Sequence, residues 1–121
     1  MAVAASLLTI ALFLAFASAG LQKLLFHPAI EHIADRLGYS RPAYRRIGLF
    51  ELIAAIALMA GIVATGTTFL AILNEAAAGA LTILMACALA VHLRKHEKAK
   101  YFTPALVLGL LTLLELILRL A

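Results

Sequence analysis

The sequence carries too little charge to make a water-facing surface. Asp, Glu, Lys and Arg together are 13% of 121 residues, against roughly a quarter in a soluble domain. Lipid must therefore be the solvent for most of the chain, in keeping with its 65% hydrophobic content and mean hydropathy of +1.08. Cysteine is nearly absent. The single residue, Cys87, excludes an intramolecular disulfide and a two-thiol redox centre within this chain. Catalytic motifs are missing as well. The chain has no Cys-x-x-Cys, phosphate loop or nucleophile motif, and it lacks the Glu-x-x-His pairs of di-iron carboxylate bundles. Haem held between helices needs histidines on facing spans, and only the third span offers one. His92 and His96 have a spacing that can hold a metal, but Arg94, Lys95 and Lys98 surround them, so no metal is expected. No catalytic apparatus within the chain itself is expected.

What the sequence does have is long apolar runs. A spanning helix needs about 20 mostly apolar residues, and four runs qualify, at about 3–25, 47–64, 68–93 and 104–120. The expected fold is all-α: a single membrane domain over 1–121, built as a four-helix bundle. Pro104 suits the first turn of the last helix, and Thr65-Gly66-Thr67-Thr68 reads as a tight turn between the second and third. Ala17-Ser18-Ala19 resembles a signal-peptide cleavage site. No Lys or Arg precedes the first run, however, and the run continues into Lys23, so a span is expected there.

The charges set an orientation. Lys23 closes the first run and Arg36, Arg41, Arg45 and Arg46 follow it before the second, while Arg94, Lys95, Lys98 and Lys100 fall between the last two. These two segments lie on one side of a four-span chain and hold nine of the ten basic residues. Both termini are then expected on the non-cytoplasmic side of the cytoplasmic membrane. Topology accounts for the net charge of +4, so no nucleic-acid partner is expected. Between the first two runs, Ile30, Ile33, Ala34 and Leu37 make an apolar stripe opened by Pro28 and closed by Gly38. A short amphipathic helix at the membrane interface is expected there.

Ionisable groups inside spans are costly and often mark function. At about 1.5 Å per residue, Lys23, Glu51 and His92 come to one level near the cytoplasmic boundary. The stripe Ala11, Ala15, Ala19 leads to Lys23, and small residues let helices approach closely. A Lys23–Glu51 ion pair with His92 nearby is expected; the alternative is Lys23 snorkelling to water, with His92 at the headgroups. Near the other boundary, Glu75 and Glu115 come to a second level. Thr112, Glu115 and Arg119 form one stripe, and Glu75, Ala78, Gly79, Thr82 and Ala86 another. Fitting these faces together puts both carboxylates in the bundle. Glu115 can pair with Arg119 one turn away. Glu75 either shares that arginine or carries a proton and donates a hydrogen bond.

Three segments bear a resemblance to a known family. Ala19-Gly20-Leu21-Gln22-Lys23-Leu24 closes the first span, Arg46-Ile47-Gly48-Leu49-Phe50-Glu51-Leu52 opens the second, and Leu84-Met85-Ala86-Cys87-Ala88-Leu89-Ala90-Val91-His92-Leu93-Arg94 closes the third. In order and placement they resemble the DoxX-like membrane proteins. The fourth span is similar only as a hydrophobic helix, which leaves Glu115 and Arg119 without family support. The resemblance implies that Lys23, Glu51 and His92 occupy the family's recurring polar positions. It also implies a link to a quinol- or thiosulfate-linked respiratory oxidoreductase, or to the assembly of other membrane proteins.

The leading expectation is a non-catalytic subunit or partner of a membrane redox assembly, with a bundle pocket for a quinone or another lipophilic ligand. Lys23, Glu51 and His92, with Glu75 and Glu115, are the candidate ligand-binding residues. An assembly factor acting on a membrane protein partner is the alternative. Proton-coupled transport through Glu75 and Glu115 is a third reading, and it requires a homo-oligomer.

Overall fold

The computed structural model describes residues 2–25, 28–63 and 68–120, without the side chains of Ala2, Ala29 and Ile30. The helices are α1 (Ala2–Leu25), α2 (Pro28–Leu37), α3 (Arg41–Leu58), α4 (Thr68–Arg94) and α5 (Ala99–Leu120), with a 3₁₀ turn at Met59–Gly61 after α3. There is no strand among the described residues. Among the described residues, three helices are long and apolar enough to cross a membrane: Val3–Leu25, Thr68–Arg94 and Ala99–Leu120. α3 does not reach that standard, because its 18 residues include Arg41, Arg45, Arg46 and Glu51.

Two helix starts differ from the sequence expectation. α3 begins at Arg41 and not at Ile47, because the Ser40 side chain accepts from Ala43 N (3.3 Å) and Pro42 pre-sets the first turn. α5 begins at Ala99, so Pro104 lies inside the helix and not at its opening. Its missing N–H leaves the Lys100 carbonyl without the usual helical donor. Of the expected turn, Thr65, Gly66 and Thr67 lie outside the described residues, and Thr68 starts α4.

Two helix ends share one cap. After α2, Gly38 has φ +83°, with Gly38 N donating to Asp35 O (3.2 Å) and Tyr39 N to Ala34 O (3.0 Å). After α4, His96 takes the same left-handed role at φ +55°, with His96 N donating to Leu93 O and Glu97 N to His92 O, both at 3.1 Å. A histidine is uncommon there, and the reversal brings Glu97 back under His92. α2 has the expected amphipathic pattern. Ala34 and Leu37 are buried and Ile33 half-buried, while Glu31, His32, Asp35 and Arg36 are exposed.

α1 packs chiefly on α3, and α4 on α5. The α1 contact stripe is Thr9, Leu12, Phe16 and Gly20, all buried, whereas Ala11 is exposed and Ala15 and Ala19 only half-buried. The expected alanine stripe therefore lies at the edge of the contact. Gly20 explains the difference. Cβ atoms placed on Gly20 and Gly48 would each stand 2.6 Å from the other residue's carbonyl oxygen, so backbone meets backbone at this crossing. The Gly-x-x-Lys and Gly-x-x-Glu elements thus place Lys23 and Glu51 one turn from a fixed point. Gly48→Ala should cost about 1–3 kcal/mol or more in detergent unfolding. Gly79→Ala, whose nearest neighbour would be Leu116 Cδ2 at 4.0 Å, should be neutral or slightly stabilising.

Candidate functional site

Polar side chains gather at two ends of the bundle. At the end carrying α2, Lys23 Nζ donates to Glu51 Oε1 in an ion pair, with the Glu51 side chain 1% exposed. Lys23 Nζ also lies 5.5 Å from the centre of the Tyr44 ring, a cation–π distance. Next to this pair, His92 Nδ1 is 2.6 Å from Glu97 Oε1, and Arg36 Nε donates to Glu97 Oε2. The Arg36 guanidinium stacks over Tyr101 at 4.1 Å. Lys23, Glu51 and His92 share the wall of a small cavity of about 70 Å³ with Tyr39 and Tyr44. They also line a cleft of about 310 Å³, which Arg36, Lys100 and Tyr101 flank and Met85, Ala88 and Leu108 line with apolar surface. The structure therefore brings the three sequence candidates to one cleft. His92 takes Glu97 as its partner, outside the Lys23–Glu51 pair.

Glu97 was not a sequence candidate, because its position depends on the left-handed His96. Burial raises its carboxyl, but hydrogen bonds from His92 and Arg36 outweigh this and hold it below the usual carboxylate range. A depressed folded-state value contributes stability above the unfolded carboxylate value and loses it as pH falls through the folded one. Wild type should accordingly exceed Glu97→Gln in melting temperature at neutral pH, and the gap should close on acidification. Melts of both proteins across the acidic range would check this.

At the far end, Glu115 is wholly buried. Its Oε1 accepts from Thr9 Oγ1 (2.6 Å), Asn74 Nδ2 (3.2 Å) and Arg119 Nε (3.3 Å). Arg119 Nη1 donates to Gly61 O (3.0 Å) and Nη2 to Thr9 Oγ1 (2.7 Å), while Asn74 Nδ2 also reaches Leu58 O (2.7 Å). One carboxylate thus ties together α1, the end of α3, α4 and α5. Gly61 is required there, since a Cβ would stand 2.4 Å from Asn74 Nδ2. Thr112 is buried one turn below, accepting from Thr82 Oγ1 at 2.9 Å.

The expectation that Glu75 faces Glu115 is corrected. Asn74 takes the inward position, and Glu75, about 100° further round the helix, is half-buried on a neighbouring cavity. The buried line of α4 runs Asn74, Ala77, Ala78, Leu81, Met85; of the expected stripe only Ala78 belongs to it. Thr9 and Gly61 were also missed, because each acts through a partner far along the chain. Among the described residues, no three His, Cys, Asp or Glu side chains converge as metal ligands.

These features define a helical membrane protein with a buried ion pair at one end and a polar clasp at the other. The chain belongs to the DoxX-like family, which it matches over residues 7–114. That match includes Lys23, Glu51 and His92 and ends one residue before Glu115. No curated protein and no solved structure matches the chain.

Proposed function

We propose that the cleft at Lys23, Glu51 and His92 holds the carbonyl head of a lipophilic ligand of the quinone class, and that the protein serves a membrane redox assembly without catalysing a reaction itself. The observation that carries this reading is the cleft's mixed lining, in which Lys23, Glu51 and His92 share one space with apolar side chains. Lys23 offers donors to a ligand oxygen, as does His92 when its ring carries both protons, since Nδ1 is taken by Glu97. Glu51 fixes Lys23, and Met85, Ala88 and Leu108 suit an isoprenoid or ring. In this reading the residues from Ile47 through the 3₁₀ turn form a fourth span, and α2 lies at the interface with Tyr39 and Tyr44 at headgroup depth. The basic segments face the cytoplasm, and both termini lie on the other side of the cytoplasmic membrane.

The test is titration of the nanodisc-reconstituted protein with a short-chain benzoquinone and naphthoquinone. Saturable binding is expected, reduced at least ten-fold, or about 1.4 kcal/mol, in His92→Leu. Absence of saturable binding to wild type, or equal binding by His92→Leu, contradicts the proposal.

A further inference from the structure

A second feature lies at the far end of the bundle, apart from the inner cleft. A cavity of about 160 Å³ is lined by Gly61, Ala71, Asn74, Glu75 and Arg119. We infer that this cavity binds a primary ammonium group.

Asn74, on the wall of this cavity, is 1% exposed. Its Nδ2 donates to Leu58 O and to Glu115 Oε1. Both partners are acceptors, so turning the amide over would set oxygen against oxygen. The orientation is therefore fixed, and Oδ1 accepts no hydrogen bond from the described residues. Glu115 Oε2, on the residue to which Asn74 is bonded and outside the cavity lining, is another buried acceptor in the same condition. Buried acceptors are matched by donors in all but a few cases.

The Glu75 carboxylate also lies on the cavity wall and forms no hydrogen bond or ion pair with the described residues. Arg119 shares the wall but supplies no answering charge. Its Nε, Nη1 and Nη2 are engaged by Glu115, Gly61 O and Thr9, and Glu115 balances its charge. The cavity wall thus carries Asn74 and Glu75, both with acceptor oxygens that no described residue answers. An ionised Glu75 favours a cation over an anion there. A primary ammonium supplies three N–H donors and the matching charge. The volume is that of about five waters at roughly 30 Å³ each, enough for an ammonium and the first carbons of its chain.

Such a group belongs either to the headgroup of an amine-bearing lipid or to a free small amine. The test uses the full protein in nanodiscs of phosphatidylcholine, which has no N–H donors. Ethylammonium should raise the melting temperature saturably, and tetramethylammonium, with the same charge but no donors, should not. Glu75→Gln should weaken the ethylammonium response at least ten-fold. Ala71→Leu, which fills the cavity without altering a polar group, should abolish it. In native mass spectrometry, selective retention of phosphatidylethanolamine by wild type and its loss in Ala71→Leu assigns the lipid as the source. A response to free ethylammonium without lipid retention assigns a soluble amine. An equal response to tetramethylammonium, no saturable response to ethylammonium, or full response in Ala71→Leu overturns the inference.

Discussion

Replacing Lys23 with Met, or Glu51 with Leu, should each destabilise the protein by about 3–5 kcal/mol, whereas the double substitution should recover much of that loss. The pair is held by geometry as well as charge. The Gly20–Gly48 crossing brings the two backbones together one turn away, so neither residue can be carried to water by a small shift of its helix. Glu51 is 1% exposed and Lys23 16%, and whichever survives a single substitution is left without its counter-charge in low dielectric. Two apolar side chains of similar volume leave no such charge. Reversible unfolding of the four proteins in detergent gives the coupling directly. A coupling within error of zero would mean that Lys23 is stabilised by water and Tyr44 and draws nothing from Glu51.

Glu115→Leu is expected to be as costly, about 3–5 kcal/mol, because it removes the counter-charge of Arg119 and the shared acceptor of Thr9 and Asn74. Glu115→Gln should cost less, about 1–3 kcal/mol, since the amide oxygen still accepts while its NH₂ adds a donor. Glu75→Gln should be close to neutral in the absence of ligand, as Glu75 takes no part in this hydrogen-bond network. Unfolding of the three variants orders them. A cost for Glu75→Gln equal to that of Glu115→Leu would reverse the assignment of the clasp.

The parts of this structure that were legible in the sequence are those set by solvent. α1 and α4 follow the hydropathy closely, because lipid-facing residues must be apolar along the whole span. The starts of α3 and α5 were not legible by that means. Both helices run out of the apolar zone on backbone hydrogen bonds, to a Ser40 cap in one case and past Pro104 in the other. The Lys23–Glu51 pair could be read from depth, but the alanine stripe taken to turn Lys23 inward lies at the edge of the contact, and the close crossing is made by Gly20 and Gly48. Glu97 could not, because a single left-handed residue turns it back under His92. Helix rotation was the hardest quantity. α4 is rich in alanine on several faces, so its pattern does not distinguish an inward Glu75 from an inward Asn74. Only the long-range partners, Thr9 and Gly61 among them, decide it.

The central claim is that the charged inner cleft holds a lipophilic ligand, and the Lys23→Met, Glu51→Leu double variant isolates it. That protein should fold, since no buried charge is left unpaired, yet its cleft has lost Lys23 as a donor. Mass spectrometry of the lipophilic molecules extracted from equal amounts of wild type and double variant, purified from the same membranes, is the direct test. A quinone-class molecule is expected with wild type, depleted from the double variant. Equal recovery from both proteins, or none from wild type, would contradict it.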